Sequence, residues 1–277
     1  MTEFDDILTI HDDGSAVRAD LGDGWAVFGN VNGGVLMALA LASARGPLEH
    51  AGAGAHTDPI SWSSSFLSAG RAGPVTITHE VLRVGRSMST AQVSLLQEDQ
   101  GRVVERVRTL ATFADLSELS DPVHRAQEPP QMPGPDHCLS VADFVPDELA
   151  VMHRIDLRLD PETAGFGVGE PSMAGEIRGW VRFADGCPTD VLSLPFFVDA
   201  FPPVALDLGA VGWAPTISFA GHIRRRPAPG WLRVRLTTTN VAGGLFEEDC
   251  VIWDETDAVV AQSRQIAGLR FPETPGD

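Results

Sequence analysis

The feature that most constrains this chain is a repeated pattern of β-strands, with about 157 residues between the two copies. Apolar and polar residues alternate along three runs separated by Gly-containing turns, namely 75–84, 88–97 and 103–113. Shifted along the chain, these runs fall without a gap on three others, 231–241, 244–253 and 259–269. Few residues match, so a chance alignment of two generic meanders is the alternative. The pattern nevertheless predicts two copies of one antiparallel meander.

A buried segment precedes each meander. Residues 187–209, CPTDVLSLPFFVDAFPPVALDLG, are apolar on nearly every side except at Asp190, Asp199 and Asp207. Because a helix that is hydrophobic all round is buried, the sequence predicts a long buried helix here, ended by Pro202-Pro203. In the first half, Asn32-Gly33-Gly34 predicts a tight turn that begins a second buried helix, ended at Gly46-Pro47. Further strands are predicted at 60–67, 178–183 and 216–224.

One long buried helix wrapped by an antiparallel sheet is the hot-dog arrangement. The sequence therefore predicts an α+β fold, a double hot-dog in which the two halves form a pseudo-dimer whose sheets join edge to edge. In that layout, polar groups on one helix face a crevice that the other half lines.

The boundary between the halves is predicted where proline and acidic residues accumulate. Residues 116–150 contain Pro129-Pro130, Pro133, Pro135 and Pro146 in polar surroundings, which is typical of a linker without packed elements. We therefore expect an N-terminal half at 1–115, a Pro-rich linker at 116–150 and a C-terminal half at 151–277.

Charge and cysteine content exclude several classes of protein. The formal net charge of −18 disfavours binding to nucleic acid or to an anionic membrane surface. All 20 basic residues are Arg, which excludes chemistry that forms a Schiff base on lysine. Three scattered cysteines, no signal-peptide pattern and no long apolar run predict a cytoplasmic protein without membrane insertion.

Several motifs resemble the acyl-CoA thioesterase II family, whose members have a double hot-dog fold. The resemblance covers nearly the whole chain and is carried by VFGNVNGGVLMALALA, VDAFPPVALDLG, APTISFAGHIRRRPAPGWL and VAQSRQIAG. In that family an aspartate, a Ser or Thr hydroxyl and a glutamine hold and activate the hydrolytic water. The matching positions are Asp199, Gln265 and either Thr216 or Ser218. The resemblance implies hydrolysis of acyl-CoA without metal or cofactor, a role in fatty acid metabolism and a homo-oligomer.

The residue types suit this chemistry. A thioester is reactive enough to need only a positioned water, a base and donors for the developing oxyanion. Asp199 in an apolar pocket has the properties of a base with a raised pKa, and Gln265 can accept from the water and donate to the aspartate. The alternatives are a buried aspartate satisfied by backbone groups and a glutamine on the solvent face.

Two further groups are candidates for ligand binding. Gly33 and Gly34 begin a helix, where free N–H groups favour an anion, so they could form the oxyanion hole; a turn that simply needs glycine is the alternative. Arg224 and Arg226 belong to the one dense basic cluster and could bind the phosphates of coenzyme A. A solvated strand end is the alternative for the arginines.

Other enzyme classes lose support from the sequence. Motifs of P-loop NTPases, zinc proteases and serine hydrolases are absent. A hydratase of the same shape would need a histidine on a buried helix, and neither predicted helix contains one. A non-catalytic acyl-CoA-binding or scaffold protein with the same fold is the alternative that stays open.

Overall fold

Fourteen strands form one antiparallel sheet in the computed structural model, which describes residues 2–118, 124 and 127–271. The helices are α1 (Glu3–Ile7), α2 (Gly33–His50) and α3 (Leu194–Phe197). In chain order, the strands are β1 (His11–Asp12), β2 (Val17–Leu21), β3 (Ala26–Val27), β4 (Asn30–Val31), β5 (Asp58–Phe66), β6 (Gly73–Val84), β7 (Ser89–Asp99), β8 (Arg102–Ala114), β9 (Leu139–Ser140), β10 (Ile155–Leu159), β11 (Glu176–Phe183), β12 (Thr216–Ile223), β13 (Leu232–Thr237), β14 (Val241–Ala242), β15 (Leu245–Trp253) and β16 (Val259–Gly268). Strands β3 and β4 pair separately from the large sheet.

Strands β5 and β12 pair at the centre of the sheet, and the strands on either side follow in the same order. Outward from β5 the order is β8, β7, β6 and β2, and outward from β12 it is β16, β15, β13 and β11. The meander β6–β7–β8 therefore corresponds to β13–β15–β16, as the repeat in the sequence predicted. Every strand predicted from alternation is present, with ends that shift by a few residues. Pairing of β5 with β12 also removes two exposed sheet edges.

Helix α2 is buried on all sides at its N-terminal half, as predicted. The side chains from Val35 to Leu41 are at most 2% exposed. The predicted end at Gly46-Pro47 is wrong, because the helix continues to His50. Gly46 has no Cβ, which relieves the steric conflict that a proline imposes on the residue before it. None of the helices in the described ranges has both the length and the hydropathy that a bilayer crossing requires.

The prediction of a second long helix over 187–209 is wrong. This segment contains only the four-residue helix α3, a turn, and a 3-10 turn at Val204–Leu208. Before α3, the Asp190 carboxylate accepts hydrogen bonds from the amides of Leu192 and Ser193, which favours a local turn over helix. After α3, Pro202-Pro203 prevents continuation. The predicted burial is confirmed, since the segment is buried from residue 191 to 198.

Aromatic packing fixes α3 in place. Four rings surround Phe196 with centroid distances between 5.2 and 5.9 Å, and they belong to Phe4, Trp25, Phe183 and Phe197. Phe4 and Trp25 come from the N-terminal part of the chain and Phe183 from β11, so two distant parts of the sequence hold this short helix. Asp199 follows two residues after α3 and is positioned by it.

The proline-rich segment packs against the sheet where the structure describes it. Residues 119–123 and 125–126 of the predicted linker lie outside the described residues. Strand β9 pairs with β10, and the Trp180 Nε1–H donates a 2.9 Å hydrogen bond to the carbonyl of Pro133. The expectation that this segment lacks packed elements is therefore wrong, while its boundaries stay a prediction.

Candidate active site

A cavity of about 590 Å³ lies between the start of α2, the turn after α3, and strands β12, β15 and β16. Its wall is mostly apolar and includes Leu36, Phe66, Met152, Phe201, Leu236 and Phe246. A few polar side chains converge on it, namely Asn30, Asn32, Ser68, Asp199, Thr216, Glu248 and Gln265. An apolar pocket with a small set of convergent polar groups is typical of a ligand or active site.

Asp199 is held by the N-terminus of α2. Its Oδ2 accepts hydrogen bonds from the Gly34 amide at 2.7 Å and from Asn32 Nδ2 at 3.4 Å. Asn32 Nδ2 also donates to the backbone carbonyl of Asp199 at 3.1 Å, and Asn32 Oδ1 caps the helix by accepting from the Val35 amide. Because the helix dipole favours negative charge at this end, the position suits an ionised carboxylate.

The pKa of Asp199 is raised to about 7. Burial is the largest cause and the negative charge of Glu248 is the next, while the hydrogen bonds from Gly34 and Asn32 act in the opposite direction. A carboxylate with a pKa near neutrality is a better base than an ordinary surface aspartate, and a substantial fraction of it is ionised near neutral pH.

Gly33 and Gly34 serve close packing. A Cβ at Gly34 would lie 2.7 Å from the carbonyl oxygen of Phe196, and a Cβ at Gly33 would lie 2.9 Å from Oδ2 of Asp199. The N–H of Gly34 already donates to Asp199, which makes it a partner of the carboxylate. Gly33 lines the cavity, so of the two predicted oxyanion donors it is the one that faces the space for a ligand.

Thr216, Gln265 and Glu248 form a hydrogen-bonded chain along the cavity wall. The Thr216 hydroxyl donates to Gln265 Oε1 at 2.7 Å, and Gln265 Nε2 donates to Glu248 Oε1 at 2.6 Å. The other carboxylate oxygen of Glu248 accepts from the Val204 amide at 2.7 Å. We expected Gln265 to donate to Asp199; the structure gives it Glu248 instead.

The structure separates the two candidate hydroxyls. A bulge between Thr216 and Ser218 shifts the pairing of β12 with β16, so the two side chains do not share a face. Thr216 lines the cavity, whereas Ser218 is exposed and pairs with Ile266 and Ser65. Only Thr216 lies beside Gln265.

Glu248 was missed by reasoning from the sequence. Its pKa is raised to about 7, mainly by burial. A signal for it exists in LFEEDCVIW, because Phe246, Cys250 and Ile252 alternate toward the core and Glu248 occupies the inward position between them. A carboxylate in an otherwise apolar register indicates a functional or hydrogen-bonded group.

The two candidate arginines lie away from the cavity. They follow the other end of β12, roughly 25 Å along the strand from Thr216. Arg226 forms an ion pair with the buried Asp58, with Nη2 and Oδ2 2.8 Å apart, and Arg224 is exposed. Neither residue is part of the cavity wall. Across the described ranges, His, Cys, Asp and Glu side chains form no group of three that could hold a metal ion.

A long helix against an antiparallel sheet, with a carboxylate at the helix start and an apolar cavity beside it, defines a hot-dog protein with a candidate site in that cavity. The family model of the acyl-CoA thioesterase N-terminal domain matches residues 21–114, and that of the C-terminal domain matches residues 127–269. The chain belongs to the acyl-CoA thioesterase family, and this makes it a thioester hydrolase.

Solved structures and curated proteins resemble this chain over most of its length. A proposed thioesterase II from Thermobifida fusca is 30% identical, with a TM-score of 0.86 over 97% of this chain and 98% of that one. A hot-dog protein of unknown function from Alicyclobacillus acidocaldarius shares the fold, with 18% identity and a TM-score of 0.83 over 98% and 99% of the two chains. An uncharacterised Mycobacterium tuberculosis protein is 29% identical over 271 residues, 90% of this chain and 89% of its own length.

Proposed function

We propose that the protein hydrolyses acyl-CoA to a free carboxylic acid and coenzyme A with a water held by Asp199, Gln265 and Thr216. The observation that carries this proposal is the placement of the Asp199 carboxylate, with its pKa near 7, in an apolar cavity that the Thr216–Gln265 pair also lines. Neither a metal nor a cofactor is needed, because a thioester is activated toward attack by water.

The reaction follows from the roles of these groups. Asp199 takes a proton from the water as its oxygen attacks the thioester carbonyl carbon, and a tetrahedral oxyanion forms. The backbone N–H of Gly33 at the start of α2 is the proposed donor to that oxyanion. The carbon–sulfur bond then breaks, and the proton held by Asp199 passes to the departing thiolate. The products are one carboxylic acid and one thiol, with Asp199 ionised again.

The lining of the cavity supports a neutral acyl group. The described residues around it include no Arg or His, and its two carboxylates, Asp199 and Glu248, repel a second negative charge. Burial of an aliphatic chain against this wall contributes roughly 0.8 kcal/mol per methylene.

We propose the domain organisation that the sequence predicted, except that the second half has a short helix instead of a long one. We propose that 1–115 and 151–277 are the two hot-dog halves of a pseudo-dimer, joined through 116–150, with one long helix in the first half and a short one in the second. Homo-oligomerisation, a cytoplasmic location and a role in fatty acid metabolism stay predictions.

Thiol release from a panel of acyl-CoAs of increasing chain length tests the function. We expect turnover by the wild type and a loss of about 100-fold or more in kcat for Asp199→Asn, since removal of a general base costs about that much. Ser218→Ala, on the exposed side of β12, is the matched control and should keep wild-type turnover. Binding of acyl-CoA without thiol release from any member of the panel would favour the non-catalytic acyl-CoA-binding or scaffold protein.

A further inference from the structure

Glu248 is a buried carboxylate in the cavity wall that the proposed reaction does not use. Its side chain is 4% exposed, and among the described residues that line the cavity it is the only carboxylate besides Asp199. Burying a carboxylate in an apolar register is unfavourable unless hydrogen bonds compensate. The two oxygens of Glu248 therefore need partners, and their identity indicates what the residue does.

Each oxygen of Glu248 holds a different part of the site. Oε1 accepts from Nε2 of Gln265 on β16 at 2.6 Å, and Oε2 accepts from the amide of Val204 at 2.7 Å. Val204 begins the 3-10 turn that follows Asp199 and Pro202-Pro203. A single carboxylate thus joins the strand that carries Gln265 to the segment that carries Asp199.

The orientation of the Gln265 amide depends on Glu248. A glutamine amide has one accepting end and one donating end, and the two ends have nearly the same shape. The Thr216 hydroxyl can donate or accept, so it tolerates either orientation of Gln265. An ionised carboxylate only accepts, which forces the NH₂ group of Gln265 toward Glu248 and its oxygen toward Thr216.

We propose that Glu248 is a positioning residue that fixes the Gln265 amide with its oxygen toward Thr216 and the cavity and holds the Asp199 segment beside it. This inference rests on the proposed function, because it assigns Glu248 to the same water-holding group. Glu248 itself does not contact the reacting atoms in this role. It acts by ensuring that the water meets an accepting oxygen of Gln265.

Glu248→Gln is the variant that separates positioning from bulk. It keeps the shape of the side chain, but its NH₂ group must face Gln265 or Val204. If that NH₂ group faces Gln265, the amide of Gln265 turns over and presents its own NH₂ group to Thr216, which the hydroxyl accepts. We expect kcat for acyl-CoA to fall about 10- to 100-fold while KM changes by less than about twofold, the pattern of an interaction that matters in the transition state.

The control is the adjacent residue on the same strand. Asp249 pairs with the exposed Arg264 instead of the cavity, so Asp249→Asn should leave kcat and KM unchanged. A double-mutant cycle adds the readout that a merely structural role would not give. In a Gln265→Ala background, Glu248→Gln should cost little more, since the amide that it positions is already gone.

Full turnover by Glu248→Gln, or an equal loss of kcat in both backgrounds, would overturn the positioning role. A wild type that releases no thiol would instead overturn the proposed function. If Glu248→Gln does not fold, the hydrogen-exchange rate of the Gln265 side-chain NH₂ group is measured in the ¹⁵N-labelled wild type. The resonances of this group are identified by their absence in Gln265→Ala. The NH₂ hydrogens should be protected from exchange, and fast exchange contradicts the proposal.

Discussion

The backbone N–H of Gly34 donates a 2.7 Å hydrogen bond to Oδ2 of Asp199, although 165 residues separate them in sequence. This bond joins the start of the long helix α2 to the turn after the short helix α3. The carboxylate that we propose as the base is therefore held by a residue far from it in sequence, and this arrangement requires the start of α2 to pack beside α3.

Gly34→Ala is expected to disrupt this contact. The added Cβ would lie 2.7 Å from the carbonyl oxygen of Phe196 and 2.9 Å from its Cα, so α2 and α3 must move apart. Displacement of this hydrogen bond should reduce kcat at least about tenfold, because a small misplacement of a catalytic group is costly. Overpacking should also lower stability by about 1–3 kcal/mol. Thiol release and thermal unfolding measure the two effects.

Gly46→Ala is the matched control in the same helix. Apart from its chain neighbours, a Cβ at Gly46 meets no atom within 4 Å, so it does not press on α3 or on the cavity. This variant should keep full activity, because the strain that its Cβ introduces before Pro47 lies more than two turns of α2 away from Gly34. Equal losses of activity in Gly34→Ala and Gly46→Ala would show that the loss does not arise from the contact of Gly34 with Asp199 and α3.

The rate of hydrolysis should rise with pH through neutrality. The pKa values of Asp199 and Glu248 are both raised to about 7, and the two groups interact, so the observed titration belongs to the pair. Since the base must be ionised, and Glu248 positions Gln265 only when it is ionised, kcat/KM should fall at least about tenfold per pH unit well below neutrality and become constant above about pH 8. A profile measured from pH 5 to 9 that is flat, or that falls as pH rises, is incompatible with an Asp199 base.

The free energy of unfolding should change with pH in the opposite direction to the rate, because Asp199 contributes stability at low pH and loses that contribution as pH rises. The folded-state pKa of Asp199 lies above its ordinary value of 3.8, so the folded protein binds a proton more tightly than the unfolded chain does. The stabilisation is fully present below about pH 4 and is lost as pH rises through about 7. The variant Asp199→Asn has no charge at residue 199 at any pH. The difference in melting temperature between this variant and the wild type should therefore shift in favour of the variant from pH 5 to pH 8. Calorimetry at pH 5 and pH 8 measures both melting temperatures. A shift in favour of the wild type from pH 5 to pH 8 would contradict the prediction.

The sequence predicted the sheet better than the buried segments. Alternation identified the meanders because side-chain direction in a strand depends only on local order. Uniform hydrophobicity over 187–209 indicated burial correctly, but it cannot distinguish a long helix from a short helix with tight turns. The turn at Asp190 and the separation of α3 from the 3-10 turn arise from local hydrogen bonds and prolines that compete with helix.

In the candidate site, too, some residues could be named from the sequence and others could not. Asp199, Thr216 and Gln265 were named from the resemblance, and the structure places all three on one cavity. The choice between Thr216 and Ser218 depends on a bulge, which hydropathy does not reveal. Glu248, the partner of Gln265, comes from a different strand, and only the three-dimensional pairing brings the two side chains together.

Replacement of the two hydroxyls separately should distinguish them. Thr216→Val keeps the shape of the side chain but removes the donor to Gln265 Oε1, so kcat should fall about tenfold with little change in the melting temperature. Ser218→Ala should remain within about twofold of the wild type, because its side chain is on the exposed face. A larger loss in Ser218→Ala than in Thr216→Val, measured by thiol release, would reverse the assignment.

Arg226 is expected to stabilise the fold without binding coenzyme A. Its guanidinium donates to Oδ2 of the buried Asp58 from Nε at 3.1 Å and from Nη2 at 2.8 Å, and the Leu116 amide donates to the same oxygen. Arg226→Gln leaves the Asp58 carboxylate without its main cation, which should lower the free energy of unfolding by about 1–3 kcal/mol. Because the pair lies away from the cavity, kcat and KM for acyl-CoA should stay unchanged.

The neighbouring Arg224 provides the comparison. It is exposed, so Arg224→Gln should change neither stability nor KM. Contacts with the phosphates of coenzyme A would give a different pattern, in which either variant raises KM several-fold and the effect weakens at high salt. Chemical denaturation and steady-state kinetics at two salt concentrations separate the outcomes. A salt-dependent rise in KM for Arg226→Gln would restore the arginines as ligands of coenzyme A and place the substrate's nucleotide end along β12.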